Sequence, residues 1–307
     1  MKCLIVKLGA MGDVLRTTPL LTRLHKLHPN SQITWMTSKS SEPILSGNPL
    51  IHELLTLNQT SLATRQSFDW ALNADEDREA CEILTQTNVK TKKGYIWKDG
   101  HYAPADRDAE YAYRLTKEDR LKFRENTQTY QQTLFSMAGV GVFAGEEMML
   151  PYASKGTGEG VALNPEVGEK WPTKKWEYWP ELAKALSNRY KISWHQTFPV
   201  FLDYVKWLDQ HKVVVTSDSL GLHLAVALKK KVVAFFGPTS QVEVELYGQG
   251  VKLSVEKLFC APCYKAICPY HHECMSQIPV DRVVSAIHAA YGEPRPEGGA
   301  WIAESCV

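Results

Sequence analysis

Hydrophobic and polar positions alternate along the first 75 residues in a strand–helix–strand rhythm. Cys3-Leu4-Ile5-Val6 is a short unbroken apolar run, the pattern of a strand buried on both faces. The turn Leu8-Gly9-Ala10-Met11-Gly12-Asp13 follows it. Val14, Leu15, Leu20, Leu21, Leu24 and Leu27 then recur at helical spacing until His28-Pro29-Asn30 ends the helix. Residues 33–36 and 68–72 repeat the strand pattern. Strands alternating with helices predict a parallel sheet with helices on both faces.

Residues 94–125 interrupt this rhythm. Gly94-Tyr95-Ile96-Trp97-Lys98-Asp99-Gly100-His101-Tyr102 predicts a hairpin turning at Asp99-Gly100. A charged stretch runs on to Glu125, and a helix is expected over 127–138. Glycines and Pro151 crowd residues 139–159, which places a domain boundary there. The second half restarts with strands at 161–163, 190–194, 213–216 and 232–236, and helices at 179–189, 199–209, 219–228 and 280–290. The expected fold class is α/β, two Rossmann-like domains facing across a cleft. These are residues 1–150 and 151–291, with a loosely ordered tail at 292–307 that is rich in Gly, Pro and Glu.

A chain of 307 residues suits two domains, each able to bury its own core. Formal net charge is only +1, so no global basic field points to nucleic acid. No run reaches the ~20 apolar residues of a membrane helix, and Cys3–Val6 is too short for a signal-peptide core. Four of the seven cysteines crowd into 260–274 instead of spreading as a disulfide framework. The expectation is a reducing, cytoplasmic setting, with at most a peripheral contact with the inner membrane.

Three strand-to-helix loops carry chemistry, and in Rossmann-like sheets such loops line the ligand crevice. In the first, Gly9 and Gly12 let the backbone approach a ligand closely. The spacing is not the G-x-G-x-x-G of a dinucleotide site, which disfavours an NAD-dependent enzyme. Asp13 reads either as a helix cap or as a carboxylate that takes a proton from an acceptor hydroxyl. The second loop runs Asn164-Pro165-Glu166-Val167-Gly168-Glu169-Lys170-Trp171-Pro172-Thr173-Lys174-Lys175-Trp176. Its lysines before a helix N-terminus suit a diphosphate, or else form a solvated basic loop. The third is Thr216-Ser217-Asp218-Ser219-Leu220-Gly221-Leu222-His223. Here Ser217 and Ser219 are expected to face the cleft, Asp218 to cap the helix or bind a sugar hydroxyl, and His223, one turn in, to pack.

Together these loops resemble glycosyltransferase family nine, the ADP-heptose-dependent heptosyltransferases of lipopolysaccharide core assembly. Val6-Lys7-Leu8-Gly9-Ala10-Met11-Gly12-Asp13-Val14-Leu15-Arg16-Thr17-Thr18-Pro19 is similar to its opening motif. Lys170-Trp171-Pro172 with Lys174-Lys175-Trp176 resembles its phosphate loop. Asp218-Ser219-Leu220-Gly221-Leu222-His223 followed by Phe236-Gly237-Pro238-Thr239 resembles its D-[ST]-G-x-x-H…GPT signature. The likeness spans residues 3–290, thinly over 60–150. It implies a GT-B fold, a sugar-nucleotide donor (ADP-heptose) held mainly by the C-terminal half, and inverting transfer to a glycan, lipid-linked, protein or small-molecule acceptor. No cofactor would be needed for catalysis. Asp13 would be the general base, with Lys170 and Lys174 neutralising the diphosphate. Gly12, Ser217, Asp218, Ser219, Gly221 and His223 would contact the donor. Two positions depart from the pattern. Leu220 stands where the family usually has Gly, and residues 192–197 lack its glycine-rich turn, leaving Gln196 as the residue to meet the ribose.

Cys260, Cys263, Cys268 and Cys274 pack four thiols into fifteen residues, a crowding that matches thiolate coordination of a structural zinc or iron. It resembles the iron-binding cysteine finger of autotransporter heptosyltransferases, while buried, reduced thiols are the alternative. Asp75-Glu76-Asp77 reads as loop surface or a helix start. Arg16, Arg23, His25, Lys26 and His28 read either as a basic solvated face or as a contact for a phosphorylated acceptor. Tyr95, Trp97, Tyr102, Tyr111 and Tyr113 would stack on sugars or pack the inserted segment. A GT-B transferase or epimerase with another sugar nucleotide is one competing function. A non-catalytic metal-binding scaffold on the same fold is the other.

Overall fold

The computed structural model describes residues 1–156 and 158–292; the predicted tail from 293 onward lies outside them. Six strands form the first sheet: β1 (Lys2–Val6), β2 (Gln32–Thr37), β3 (Glu53–Thr56), β4 (Ser67–Asn73), β5 (Asn88–Lys98) and β6 (His101–Pro104). Their order is β3-β2-β1-β4-β5-β6, parallel except for the β5–β6 hairpin. That hairpin turns at Asp99 and Gly100, whose φ values of 51° and 84° are the pair of positive angles a two-residue turn demands.

The second sheet contains β7 (Val161–Asn164), β8 (Ile192–Trp194), β9 (Val213–Ser217), β10 (Lys231–Phe235) and β11 (Gly250–Leu253). Its order is β11-β10-β9-β7-β8, parallel throughout. Every residue of β7 and β9 is buried, as their unbroken apolar runs require when helices cover both faces. One apolar core joins the halves: Leu15, Leu20 and Leu21 pack in the same cluster as Leu222, Val226 and Val244.

Some sequence expectations change. The single helix expected from Val14 to Leu27 is two, Met11–Thr17 and Pro19–Leu27, because Pro19 has no N–H to continue the first helix and instead opens the second. The Thr18 hydroxyl at the break donates to Leu15 O (2.7 Å) and accepts from Met149 N (2.7 Å). The strand expected over 190–194 begins only at Ile192. The short strands β3 and β11 and the helix Arg78–Gln86 were not signalled.

Strand order reverses between β1 and β4 in the first sheet and between β7 and β9 in the second. Parallel α/β sheets bind ligands outside the carboxyl ends of strands at such points. The loops after Val6, Asn73, Asn164 and Ser217 are therefore where a ligand belongs.

Candidate active site

A cavity of about 640 Å³ opens between the halves, lined by Gly12, Asp13 and Arg16 on one side and residues 166–171, Lys174, 218–221 and His223 on the other. Its volume is that of a small-molecule site. Of the residues singled out from sequence, Gly12, Asp13, Lys170, Lys174, Asp218, Ser219, Gly221 and His223 line it. Ser217 and Gln196 do not. Ser217 is buried and its hydroxyl donates to Lys174 O at 2.8 Å, so it ties two loops together instead of facing the cleft. Gln196 is exposed and lies off the cavity wall. Its neighbour His195 lines the cavity with Tyr204, the two rings 5.2 Å apart and edge-on. Sequence reading missed both aromatics, whose only signal was proximity to the loop after β8.

Asp13 does not cap its helix. Ala10 is the N-cap residue and makes no side-chain cap bond; Asp13 lies within the first turn. Its carboxylate is 45% exposed, with Arg16 Nη1 at 3.6 Å. Arg16 is itself buried. It donates to Glu243 O at 3.2 Å and stacks its guanidinium 4.3 Å from the Tyr130 ring centre. It thus bridges the two halves beside Asp13 and is not part of a solvated basic face. Arg23 is likewise taken up, paired with Glu146 and donating to Val142 O at 2.7 Å. Only His25, Lys26 and His28 of that series stand exposed.

The loop carrying Asp13 is braced by a buried pair, Lys7 and Asp75, of which Asp75 was expected at the loop surface or a helix start. Lys7 and Asp75 are both buried and ion-paired. Lys7 Nζ also donates to Ala74 O (3.0 Å). Asp75 Oδ2 accepts the backbone N–H groups of Leu8 and Gly9, the latter at 3.3 Å. Burial opposes the charge on Lys7, but the Tyr130 hydroxyl, Asp75 and Asp13 outweigh it and hold its pKa above that of free lysine. Asp75 lies just past the end of β4, the neighbour of β1. That position at the strand-order reversal was the signal available in the sequence.

On the opposite wall, Lys174 and Asp218 form a second shielded pair, with side chains 10% and 12% exposed. Lys174 Nζ donates to Asp218 O (2.7 Å) and Asp218 Oδ2 (3.0 Å). Two of its three protons are therefore spent inside the protein. Lys170 is exposed and is the freer cation for a diphosphate. Burial works against ionisation of Asp218, but Lys174 and other neighbours outweigh it and hold the carboxyl down to about 2. Burial, then Arg16, push the His223 imidazole down to about 4, so the ring is neutral at pH 7. Ser219 takes the N-cap position of helix Leu220–Ala227 without a side-chain cap bond; its hydroxyl lies 3.1 Å from Thr216 Oγ1. The first turn of this helix lines the cavity, which presents the positive end of its dipole to a ligand. Gly221 is demanded by space: a Cβ there would come within 2.3 Å of Asn164 Nδ2.

A second cavity of about 390 Å³ adjoins the first and shares Asp13, Arg16 and Glu243 with it. Asp75, Glu76, Asp77, Tyr95, Lys122 and Tyr130 also line it. Tyr102 stands edge-on to Tyr95 and Tyr113, with centroids 5.9 and 5.7 Å apart, so these rings chiefly pack the inserted segment.

The four clustered cysteines line a third cavity, of about 340 Å³. Cys274 is buried and the other three half-buried, all as free thiols. Burial first, then the neighbouring Cys263, Cys260 and Cys268, push the Cys274 thiol up to about 12. The sulfurs face common space, yet among the described residues no three His, Cys, Asp or Glu side chains stand in a metal-holding arrangement. The donor set suits a soft metal, whereas its spacing is not that of a formed centre.

Residues 201–273 match the family described as glycosyltransferase family 9 (heptosyltransferase). Over 88% of its length the chain is 22% identical to 88% of lipopolysaccharide heptosyltransferase 1 of Pseudomonas aeruginosa. Its fold is similar to that of the glycosyl transferase family 9 protein of Veillonella parvula, with a TM-score of 0.65 and 16% identity, covering 94% of this chain and 96% of that one. It is also similar to E. coli heptosyltransferase WaaC, solved with ADP-2-deoxy-2-fluoro heptose: TM-score 0.64, 15% identity, 94% of this chain and 99% of the other. No helix among the described residues is long and apolar enough to cross a membrane.

Proposed function

We propose that this chain, a glycosyltransferase family 9 protein of GT-B fold, transfers a heptose from ADP-heptose to an acceptor hydroxyl with inversion at the anomeric carbon. The observation that carries the reading is the opposition of Asp13 to Lys170, Lys174 and the Leu220–Ala227 helix N-terminus across one cavity. An acceptor hydroxyl beside Asp13 gives its proton to the carboxylate as its oxygen attacks the anomeric carbon. The bond from that carbon to the diphosphate breaks on the opposite face, and ADP leaves with the bonding pair. Charge then grows on the diphosphate, where Lys170, the remaining proton of Lys174 and the free helix N–H groups stabilise it. His195 and Tyr204, which line the same cavity, would form the aromatic wall against which the nucleotide base rests.

Every group in this scheme comes from the chain, so no step needs a metal. The cysteine cavity is proposed to hold a structural zinc or iron, with Cys260, Cys263, Cys268 and Cys274 as ligands. Metal analysis of the purified protein tests this: about one zinc or iron per chain is expected, and none would overturn it. A cytoplasmic location is likewise proposed, on the unpaired clustered thiols and the sugar-nucleotide donor.

The transferase reading is tested by incubation with ADP-heptose and candidate acceptors. ADP release together with the added mass of one heptose on an acceptor supports it. Binding of another sugar nucleotide in preference to ADP-heptose, measured by calorimetry, would overturn the donor assignment.

A further inference from the structure

The cysteine-bearing segment reaches beyond its own cavity. Between Cys263 and Cys268 it places Tyr264 in the wall of the cavity that holds Asp13, Lys170 and Asp218. Tyr264 has a φ of 51°, a left-handed backbone that an aromatic residue keeps only where its surroundings fix it. Those surroundings come from both halves of the chain. Its N–H donates to Pro238 O at 2.8 Å. Its ring stacks on Phe123 of the inserted segment, with centroids 5.5 Å apart and planes 14° apart. It also stands edge-on to Trp171 of the lysine loop, at 6.4 Å. Arg124, next to Phe123, donates to Ala261 O at 2.9 Å and to Phe259 O. The segment is thereby fastened across the cleft.

The Tyr264 hydroxyl carries this fastening to the proposed chemistry. It accepts from Ser240 N (3.1 Å) and donates to Glu243 Oε2 (2.7 Å), a charge-assisted bond that holds the carboxylate in one place. Glu243 borders both cavities that contain Asp13. Its main-chain oxygen accepts from Arg16 Nη2 (3.2 Å) and from Tyr130 N (2.9 Å). Arg16 Nη1 in turn stands 3.6 Å from Asp13 Oδ1. A continuous line of contacts therefore runs from Tyr264 through Glu243 and Arg16 to Asp13. On the reading of Asp13 as the base, we infer that Tyr264 is a positioning residue of the transfer reaction. Through Glu243 it holds the Arg16 guanidinium in place, and so sets where the Asp13 carboxylate points. The ring alone fills the space between Phe123 and Trp171; the hydroxyl is what restrains Glu243.

The test uses the purified full chain and the variant Tyr264→Phe, which keeps the ring and its stacking and removes only the hydroxyl. Its kcat is expected to fall about tenfold, the scale of a small misplacement of reacting groups. The KM for ADP-heptose and its affinity by calorimetry are expected to stay within about twofold, since a positioning defect spares ground-state binding. Glu243→Ala breaks the same link, so the double variant should be no slower than the poorer single one. Glu243→Gln keeps an acceptor for the Tyr264 hydroxyl and should lose less than Glu243→Ala. Amide hydrogen exchange reads the same link without turnover. In Tyr264→Phe the Tyr130 N–H, held by Glu243 O, should exchange several-fold faster, while β7 and β9 are unchanged. Wild-type kcat, a loss confined to KM, additive losses in the double variant or unchanged exchange at Tyr130 would each overturn the inference. If the wild type neither binds ADP-heptose nor transfers it, the transferase reading falls on its own account, and exchange at Tyr130 still decides whether Tyr264 restrains Glu243.

Discussion

Gly12 and His223 meet across the cleft: a Cβ on Gly12 would lie 2.9 Å from Cδ2 of the His223 ring. Gly12 sits in a helix that favours alanine over glycine by about 1 kcal/mol. The glycine is therefore explained by the closeness of the other half and not by backbone conformation. That contact sets how near Asp13 stands to the Asp218 loop.

Gly12→Ala separates stability from geometry. Better helix propensity should leave the melting temperature unchanged or slightly raised, while the displaced imidazole forces the walls apart. A loss of about tenfold or more in kcat/KM is expected, since small misplacements of reacting groups are costly. Wild-type turnover would show that the Gly12–His223 approach has no part in the reaction.

Asp13→Asn keeps the side-chain shape and removes the proposed base. General-base removal typically costs ~10²–10⁴-fold in rate, so kcat should fall by that order. ADP-heptose binding by calorimetry should change little, because the proposed donor contacts lie mainly on the opposite wall. A fall confined to KM would move Asp13 from proton transfer to binding.

The two shielded lysines differ from Lys170 in what their loss does. Lys174→Met leaves Asp218 buried without its counter-ion, and Asp75→Asn does the same to Lys7. Breaking a buried pair from one side costs about 3–5 kcal/mol, visible as a lower urea midpoint. Lys170→Met should leave the midpoint unchanged and raise KM for the donor several-fold. If Lys174→Met proved as stable as Lys170→Met, the Lys174–Asp218 pair would be incidental to folding.

The pH dependence of stability follows from His223 and Asp218. His223 has a folded-state pKa of about 4, below its ordinary 6.5, so the unfolded chain takes up its proton first as pH falls. Its contribution is complete above about pH 6.5 and is lost as pH drops through 4. Asp218, held at about 2 against 3.8, adds a loss only below about pH 3.8. His195 and His211 are also lowered, chiefly by burial, and act in the same direction. Urea midpoints between pH 7 and 4 should fall for the wild type and fall less steeply for His223→Gln; identical slopes would show that the imidazole stays accessible to protons.

Much of this arrangement was legible in the chain itself. Apolar runs such as Cys3–Val6 and Val213–Thr216 can be satisfied only inside a parallel sheet, and glycine-bearing turns after them mark the ligand-facing ends. From those local patterns came the two-sheet architecture, the hairpin at Asp99-Gly100 and the loops that hold Asp13, Lys170 and Asp218. What the chain could not reveal was which polar groups find each other at long range. Ser217, one residue from Asp218, turned inward to Lys174 O. Lys174, inside a motif read as phosphate-binding, spent most of its donors on Asp218. Arg16 left the expected basic face to bridge Tyr130 and Glu243, and Asp75 became the buried brace of the Asp13 loop. Strand and helix patterns are written in neighbouring residues, so sequence alone determines them. Whether a charged side chain is free for a ligand depends on partners tens to hundreds of residues away, and only the tertiary structure decides that.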